Sequence, residues 1–187
     1  MFSRDDGLEP VNCFALVTYV PEPLGAFLDQ MRRELVPNCA TRAHVTILPP
    51  RPLLAPASAA IEELTARVAE FPGFRIEARA IEVFQNTSVI YIGIGAGHAA
   101  LLRIHAALNA GPLEFQEPFA YHPHITVAQD LDCGQVPGLS EEAARRWAEF
   151  KGARSFRAES LAFVQNTVQN RWVDLAHWSL GAAPGKR

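Results

Sequence analysis

Two stretches, His44-Val45-Thr46-Ile47 and His124-Ile125-Thr126-Val127, repeat one pattern of His, apolar residue, Thr, apolar residue, and they lie 80 residues apart in a chain of 187. Alternate side chains of an extended strand share a face. Each stretch therefore predicts a strand that presents its His and Thr on one face and buries its two apolar residues in a core. The chain therefore carries the same pair of functional groups, one imidazole and one hydroxyl, in two places.

A second pair of matching stretches supports a duplication. Gln85-Asn86-Thr87 and Gln165-Asn166-Thr167 are also 80 residues apart. We interpret both as hairpin turns, because Asn tolerates the left-handed backbone conformations that turns require. A single His-x-Thr pattern carries little information, but the shared offset predicts that the chain consists of two repeats.

The predicted elements follow the same order in each repeat: strand, helix, motif strand, helix, strand. Hydrophobic periodicity predicts helices at 24–35, 58–70, 98–110 and 140–150, the last with Ser140 as its N-cap. Besides the two motif strands, strands are expected at 13–20, 74–84, 89–95, 155–164 and 171–180.

This order predicts an α+β fold in a single domain that spans residues 1–187. We expect two lobes related by a pseudo-twofold axis, each with an antiparallel-rich sheet and flanking helices, around a central cleft. The first lobe would carry His44 and Thr46, and the second would carry His124 and Thr126. The two motif strands would bring these four side chains together at the cleft.

Composition limits the classes of partner. The net charge is −3, and proteins that coat long nucleic acids depend on many Lys and Arg contacts to phosphates, so we expect a nucleotide or an RNA end rather than a long strand. No apolar run approaches the length needed to span a membrane, and residues 1–10 lack a signal-peptide pattern. We therefore expect a cytoplasmic protein with no membrane partner, and the sequence leaves its oligomeric state open.

No cofactor or metal is expected from the sequence. The three cysteines, Cys13, Cys39 and Cys133, are odd in number and widely spaced, which is typical of reduced thiols. His122 and His124 could share a strand face like half of a metal site, but no Asp, Glu or Cys joins them at ligand spacing.

A symmetric pair of His and Thr residues suits a phosphodiester. One neutral imidazole can accept a proton from the attacking water or hydroxyl, while a protonated imidazole on the other side donates to the departing oxygen. The two hydroxyls can donate hydrogen bonds to the nonbridging oxygens and stabilise the charge that develops there. Such a site needs no metal, and it predicts a bell-shaped pH profile that EDTA leaves unchanged.

The two motifs, their spacing and the surrounding repeat resemble the 2H phosphoesterase superfamily, also called the 2′-5′ RNA ligase or cyclic phosphodiesterase-like family, over nearly the whole chain. The resemblance implies hydrolysis of the 2′,3′-cyclic phosphate of nucleotides or RNA ends, commonly to a 2′-phosphate. It also implies that His44 donates the proton to the leaving oxygen, His124 accepts the proton from water, and Thr46 and Thr126 bind the phosphate. Two alternatives stay open, namely a 2′-5′ RNA ligase and a noncatalytic module that binds RNA ends or nucleotides.

Further residues are candidates for contact with the substrate. Bacterial members often carry an Arg after the second motif, where this chain has Gln129, and Arg51 could supply a positive charge near the phosphate instead. Arg171 could attract a phosphate to the mouth of the cleft. Aromatic faces stack on nucleobases, although core packing is the commoner fate of such residues, and the candidates here are Tyr121, Phe84 and Trp172.

Overall fold

The computed structural model describes residues 9–37, 39, 41–84 and 86–181. Its strands are β1 (Pro10–Tyr19), β2 (His44–Arg51), β3 (Phe74–Phe84), β4 (Val89–Ile94), β5 (His124–Ala128), β6 (Ser155–Ala158), β7 (Ser160–Thr167) and β8 (Trp172–Ser179). Its helices are α1 (Leu24–Leu35), α2 (Ala57–Arg67), α3 (His98–Leu108) and α4 (Val136–Glu149), with short 3-10 helices at Val68–Glu70 and Gly111–Leu113. Across the described part of the chain, none of the helices is long and apolar enough to cross a membrane.

The strands form two four-stranded sheets with the same plan. The first sheet has the order β2-β1-β7-β8 and the second has the order β5-β4-β3-β6, with antiparallel pairing between all neighbours. A motif strand forms one edge of each sheet. The predicted α+β fold with two antiparallel sheets and flanking helices is confirmed.

The two halves of the chain are intertwined. Strand β7, from the second half, pairs with β1, whereas β3, from the first half, pairs with β4. The helices cross over in the same way, since α1 contacts β5 and α3 contacts β2. Each sheet therefore contains strands from both repeats. Strand β3 of the first repeat lies in the sheet of β4 and β5, and strand β7 of the second repeat lies in the sheet of β1 and β2. We call β3 and β7 the closing strands.

This exchange divides one predicted strand into two. Residues 155–164, expected to form a single strand, form β6 in the second sheet and the beginning of β7 in the first sheet. Glu159 is the residue at which the chain passes from one sheet to the other. Periodicity predicts that a segment is extended, but it does not say with which strand the segment pairs.

The motif strands have the alternation that their sequences predict. Val45, Ile47 and Ile125 are fully buried, Val127 is 1% exposed, and each His and Thr is partly exposed on the opposite face. The register is equivalent in the two sheets: Thr46 lies opposite Val17 on β1, as Thr126 lies opposite Tyr91 on β4. The apolar sides of both motifs belong to one continuous core.

Helix α1 buries the predicted apolar stripe, and α4 differs from its prediction. Leu24, Leu28, Met31 and Leu35 of α1 are buried, and so is Arg32.

Helix α4 begins at Val136, four residues before the expected N-cap Ser140. Pro137 lies in its first turn, where proline fits a helix well. Ser140 lies inside the helix and donates its hydroxyl hydrogen bond to the Pro137 carbonyl.

The two Gln-Asn-Thr stretches lie at hairpins, but in different positions. The second stretch ends β7, and the turn follows it at residues 168–170. In the first stretch, Asn86 and Thr87 lie in the turn and Gln85 lies outside the described residues. Positive φ angles occur at Ser88 and Asn170 rather than at the Asn residues of the two stretches, so the second stretch is strand and not turn.

Candidate active site

The two motifs meet at a single cleft. Strands β2 and β5 are in contact where the two sheets approach each other, and a cavity of about 1000 Å³ opens above their polar faces. Among its lining residues are all four predicted functional side chains, His44, Thr46, His124 and Thr126. The structure therefore brings together the residues that lie 80 positions apart in the sequence.

The two imidazoles are held in the same way. The Nδ1 atom of His44 lies 2.7 Å from the Arg42 carbonyl oxygen, and the Nδ1 atom of His124 lies 2.7 Å from the His122 carbonyl oxygen. A carbonyl only accepts hydrogen bonds, so Nδ1 carries the proton in each ring. In the neutral ring Nε2 is then the basic atom, and neither Nε2 makes a hydrogen bond within the described residues.

This arrangement orients each imidazole for proton transfer. The carbonyl belongs to the residue two positions before the His in both motifs, so the bond is local to the strand and is repeated with it. A neutral ring can accept a proton at Nε2, and a protonated ring can donate one from the same atom. Either His can therefore serve as acid or base without rotating its ring.

Burial and nearby charges lower the pKa of both imidazoles. Burial lowers the pKa of His44 to about 4; its bond to the Arg42 carbonyl opposes this shift, and the charges of Arg32 and His124 add to it. Burial also lowers the pKa of His124, again opposed by the carbonyl bond and strengthened by the neighbouring His122. The free site thus favours two neutral imidazoles at neutral pH.

Two aromatic rings pack against His124. Phe84 and Tyr91 stack on each other with ring centroids 4.0 Å apart, and both meet the His124 ring edge to face at 5.1 and 5.4 Å. The Tyr91 hydroxyl donates to Glu82, which fixes the ring. The second motif therefore faces an apolar surface, which explains the desolvation of its imidazole.

The opposite wall carries charged groups. Arg42 lies over the ring of Tyr19, with its guanidinium carbon 4.1 Å from the ring centroid, and the Tyr19 hydroxyl donates to Asp174 at 2.5 Å. Arg171 and Trp172, at the start of β8, also line the cleft. The side of the first sheet therefore carries the arginines of the cleft together with aromatic rings and a carboxylate, whereas the side of the second sheet presents the aromatic rings that contact His124.

Residues 114–123 contribute many of the residues that line the cleft, and we call them the covering segment. Tyr121 connects this segment to the first motif, because its hydroxyl donates to the Thr46 carbonyl at 2.7 Å. Its ring stacks on His105, whose Nδ1 lies 2.9 Å from the Ile47 carbonyl oxygen. These two side chains satisfy carbonyls on the outer edge of β2.

A sequence model of the 2′-5′ RNA ligase superfamily matches residues 20–170, a range that includes both motifs and parts of both sheets. The chain belongs to the 2′-5′ RNA ligase superfamily. This membership confirms the resemblance that the two motifs indicate. A comparison with curated protein sequences gave no match.

Solved structures share the fold of this superfamily member. A crystal structure of a phosphoesterase matches with a TM-score of 0.63 at 16% identity and covers 92% of this chain and 99% of its own. E. coli LigT complexed with 3′-AMP matches with a TM-score of 0.61 at 16% identity and the same coverage. E. coli LigT complexed with ATP matches with a TM-score of 0.59 at 19% identity, again over 92% and 99% of the two chains. At these identities the likeness shows a common fold.

Five of the other substrate-contact candidates lie where the sequence suggested. Besides the four motif residues, the cleft is lined by Tyr121, Gln129, Arg171, Phe84 and Trp172. The site of the superfamily member is thus assembled from both sheets and from the covering segment. Whether these five residues contact a substrate stays a prediction.

Arg51 requires a correction, because it does not line the cleft. Its side chain is 1% exposed and pairs with Glu117 at 2.5 Å. Its other donors reach the side chain of Asn109 and the carbonyls of Pro49 and Leu113. Because all of its nitrogens have protein partners, Arg51 is not available to a phosphate, and it anchors the covering segment instead.

Arg32 also lines the cleft, although it is not among the site residues that the sequence predicts. It is 4% exposed, and its charge contributes to the lowered pKa of His44. A signal was present, because Arg32 follows Leu28 by four residues and precedes Leu35 by three, so it falls on the buried stripe of α1. A charged residue on such a stripe indicates either a buried ion pair or a functional site.

No metal centre is formed by the described residues, among which no three His, Cys, Asp or Glu side chains are grouped as metal ligands.

Proposed function

We propose that this superfamily member is a phosphodiesterase that hydrolyses the 2′,3′-cyclic phosphate of nucleotides or RNA ends by general acid–base catalysis with His44 and His124. One observation carries the proposal. Two imidazoles enter one cleft with the same Nδ1-to-carbonyl bond, which leaves two basic Nε2 atoms, and a threonine follows each at the next position on the same strand face. The chemistry needs no metal in this arrangement.

The reaction balances with these groups alone. A neutral imidazole accepts a proton from water at Nε2 as the water oxygen forms its bond to phosphorus. The bond from phosphorus to one ribose oxygen breaks, and the second imidazole, protonated, donates from Nε2 to that oxygen. The product is a phosphate monoester, a 2′-phosphate when the 3′ oxygen leaves. Thr46 and Thr126 donate to the nonbridging oxygens, where a single donor contributes about 3 kcal/mol to transition-state stabilisation.

The walls of the cleft suit a nucleotide. An apolar surface with Phe84 on one side can accept a base or a ribose face, and aromatic stacking on a base is worth about 1 to 3 kcal/mol. Arg42 and Arg171 on the other side provide positive charge for phosphate groups. The cavity of about 1000 Å³ is large enough for a nucleotide or for the last nucleotides of an RNA end.

The test is turnover of 2′,3′-cyclic nucleotides and of an RNA with a 2′,3′-cyclic phosphate end, in the presence and absence of EDTA. We expect hydrolysis by the wild-type protein and a fall of about 100-fold or more in kcat for both His44→Ala and His124→Ala, the size typical of losing an acid or a base. His177→Ala is the matched control, because His177 is exposed on β8 and does not line the cleft. Phosphorus NMR of the product identifies the leaving oxygen.

Three results would contradict the proposal. Binding of the cyclic nucleotides without turnover would indicate a noncatalytic module. Joining of a cyclic phosphate end to a 5′-hydroxyl RNA, without hydrolysis, would indicate a ligase. Loss of activity with EDTA would show that the two imidazoles do not act alone.

A further inference from the structure

Arg32 is a buried cation beside the first motif. It lies on the core-facing stripe of α1 with 4% of its surface exposed, and part of its surface lines the cleft together with Thr41, Arg42 and His44. Its guanidinium therefore lies at the boundary between the hydrophobic core and the site.

The hydrogen bonds of Arg32 are few and long. One terminal nitrogen lies 3.5 Å from the Arg42 carbonyl oxygen, the other lies 3.5 Å from the Cys39 sulfur, and the Nε atom is buried without a partner. Within the described residues no carboxylate lies within ion-pair distance of it. Among the residues that the structure describes, Arg32 thus has two long hydrogen bonds and no carboxylate partner.

Arg51 shows what a structural arginine looks like in the same fold. It is buried to a similar degree, but it has a carboxylate partner in Glu117 and further acceptors in Asn109, Leu113 and Pro49. Burying a charge without a partner opposes folding, and proteins retain such groups where function requires them. The contrast between the two arginines indicates that the acceptor for Arg32 is a ligand.

We propose that Arg32 binds the phosphoryl group of the substrate beside His44 and supplies the fixed positive charge of the site interior. The inference rests on the proposed function for the class of ligand, a phosphodiester. A guanidinium presents paired donors that match two phosphate oxygens, and its charge does not depend on pH. The two other arginines that line the cleft are exposed, and Arg42 already lies over Tyr19.

The test uses inorganic phosphate as the probe and compares Arg32→Met, Arg32→Lys and the control Arg33→Met. Arg33 is the next residue of the same helix and is exposed, so its replacement removes one positive charge without changing the cleft. We expect Arg32→Met to weaken phosphate binding by about 10- to 100-fold, the range for a lost hydrogen bond to a charged group. Arg32→Lys should retain part of the affinity, and Arg33→Met should bind as the wild type does.

Thermal unfolding without phosphate separates a binding role from a structural one. Methionine fills similar space without a charge, so Arg32→Met should unfold at the same temperature as the wild type or a few degrees higher. A lower melting temperature for Arg32→Met, phosphate binding equal to that of the wild type, or a wild-type protein that does not bind phosphate would each overturn the inference.

The measurement is independent of turnover. If the wild-type protein binds phosphate through Arg32 but hydrolyses no cyclic phosphate, the proposed function fails and this inference stands. If both hold, Arg32→Met should also lower kcat/KM for the cyclic nucleotide by about the factor by which it weakens phosphate binding.

Discussion

The two catalytic candidates share their backbone geometry and differ in their surroundings. His44 lies near a buried guanidinium, whereas His124 lies among the edges of aromatic rings. A nearby cation disfavours protonation of an imidazole directly, and an apolar wall disfavours it through desolvation. The pseudosymmetry of the motifs therefore does not extend to their electrostatics.

We expect His44 to have the lower pKa of the two imidazoles in the free protein. As the pH falls, His124 should therefore become protonated before His44. Its pKa is lowered to about 4 by burial and by the charges of Arg32 and His124, while burial lowers the pKa of His124 as well. A histidine titration by NMR on the free protein measures both values, with Arg32→Met as the variant that should raise the pKa of His44. A His44 that titrates above His124 would contradict this order.

The same shift has a consequence for stability. Because the folded-state pKa of His44 is below the unfolded value of about 6.5, the unfolded chain binds the proton first. The contribution of His44 to the free energy of unfolding is therefore complete above pH 6.5 and is lost as the pH falls from that value to about 4.

The lowered pKa also bears on the catalytic role of His44. In the free protein at neutral pH the His44 imidazole is neutral, which is the form that a general base requires. The superfamily resemblance implies the opposite role, that of proton donor.

At the scale of the elements, the covering segment depends on one buried ion pair. Arg51 joins the end of β2 to Glu117, and Asn109 at the end of α3 bonds both to Arg51 and to the backbone of Phe115. The segment contains no helix or strand. Its position over the cleft is therefore set by these side chains.

We expect Arg51→Met to destabilise the protein by about 3 to 5 kcal/mol, because it leaves a carboxylate and several acceptors buried without their donor. In a chain of this size, that change lowers the melting temperature by about 6 to 20 °C. Arg67→Met is the matched control, since Arg67 and Glu63 form a partly exposed pair on one helix, and it should change stability by less than about 1 kcal/mol. Equal melting temperatures for the two variants would show that Arg51 does not anchor the segment.

The sequence predicted the elements and the motif residues better than it predicted their partners. The alternation in His44-Val45-Thr46-Ile47 determines which side chains are buried, so the strand face and its functional groups follow from a local pattern. Arg51 and Arg32 show the limit of such patterns, because both are arginines near the first motif. Only tertiary contacts distinguish them: Arg51 has a carboxylate partner, whereas Arg32 has none among the described residues. The sequence predicts a cap at Ser140 rather than at Gln135 because the first turn of α4 contains a proline and carries little helical signal of its own.

At the scale of the whole molecule, the intertwining of the two halves predicts a single unfolding transition. The first sheet cannot open without releasing β7, and β7 is connected through Glu159 to the second sheet. Trp147 reports on the second sheet, because its indole donates to the Arg79 carbonyl, and Trp172 reports on the first sheet from β8.

Trp147→Phe leaves the two indoles of β8, Trp172 and Trp178, and the double variant Trp172→Phe with Trp178→Phe leaves only Trp147. We expect the fluorescence of each variant to give the same denaturation midpoint as circular dichroism of that variant. The control is the wild-type midpoint measured by circular dichroism alone. Fluorescence from the two sheets that changes at separate denaturant concentrations would mean that the sheets unfold independently.

The exchange of closing strands also says something about how such a chain can arise. A polypeptide of half this length, with one motif, would carry a closing strand that fits only the sheet of another copy. Two such copies would each complete the other, in the manner of a domain-swapped dimer, and would form the whole cleft at their common axis. Duplication and fusion of that gene would then allow each half to diverge. The guanidinium beside one imidazole and the aromatic rings beside the other are differences that two identical half-length chains, encoded by one gene, could never have acquired.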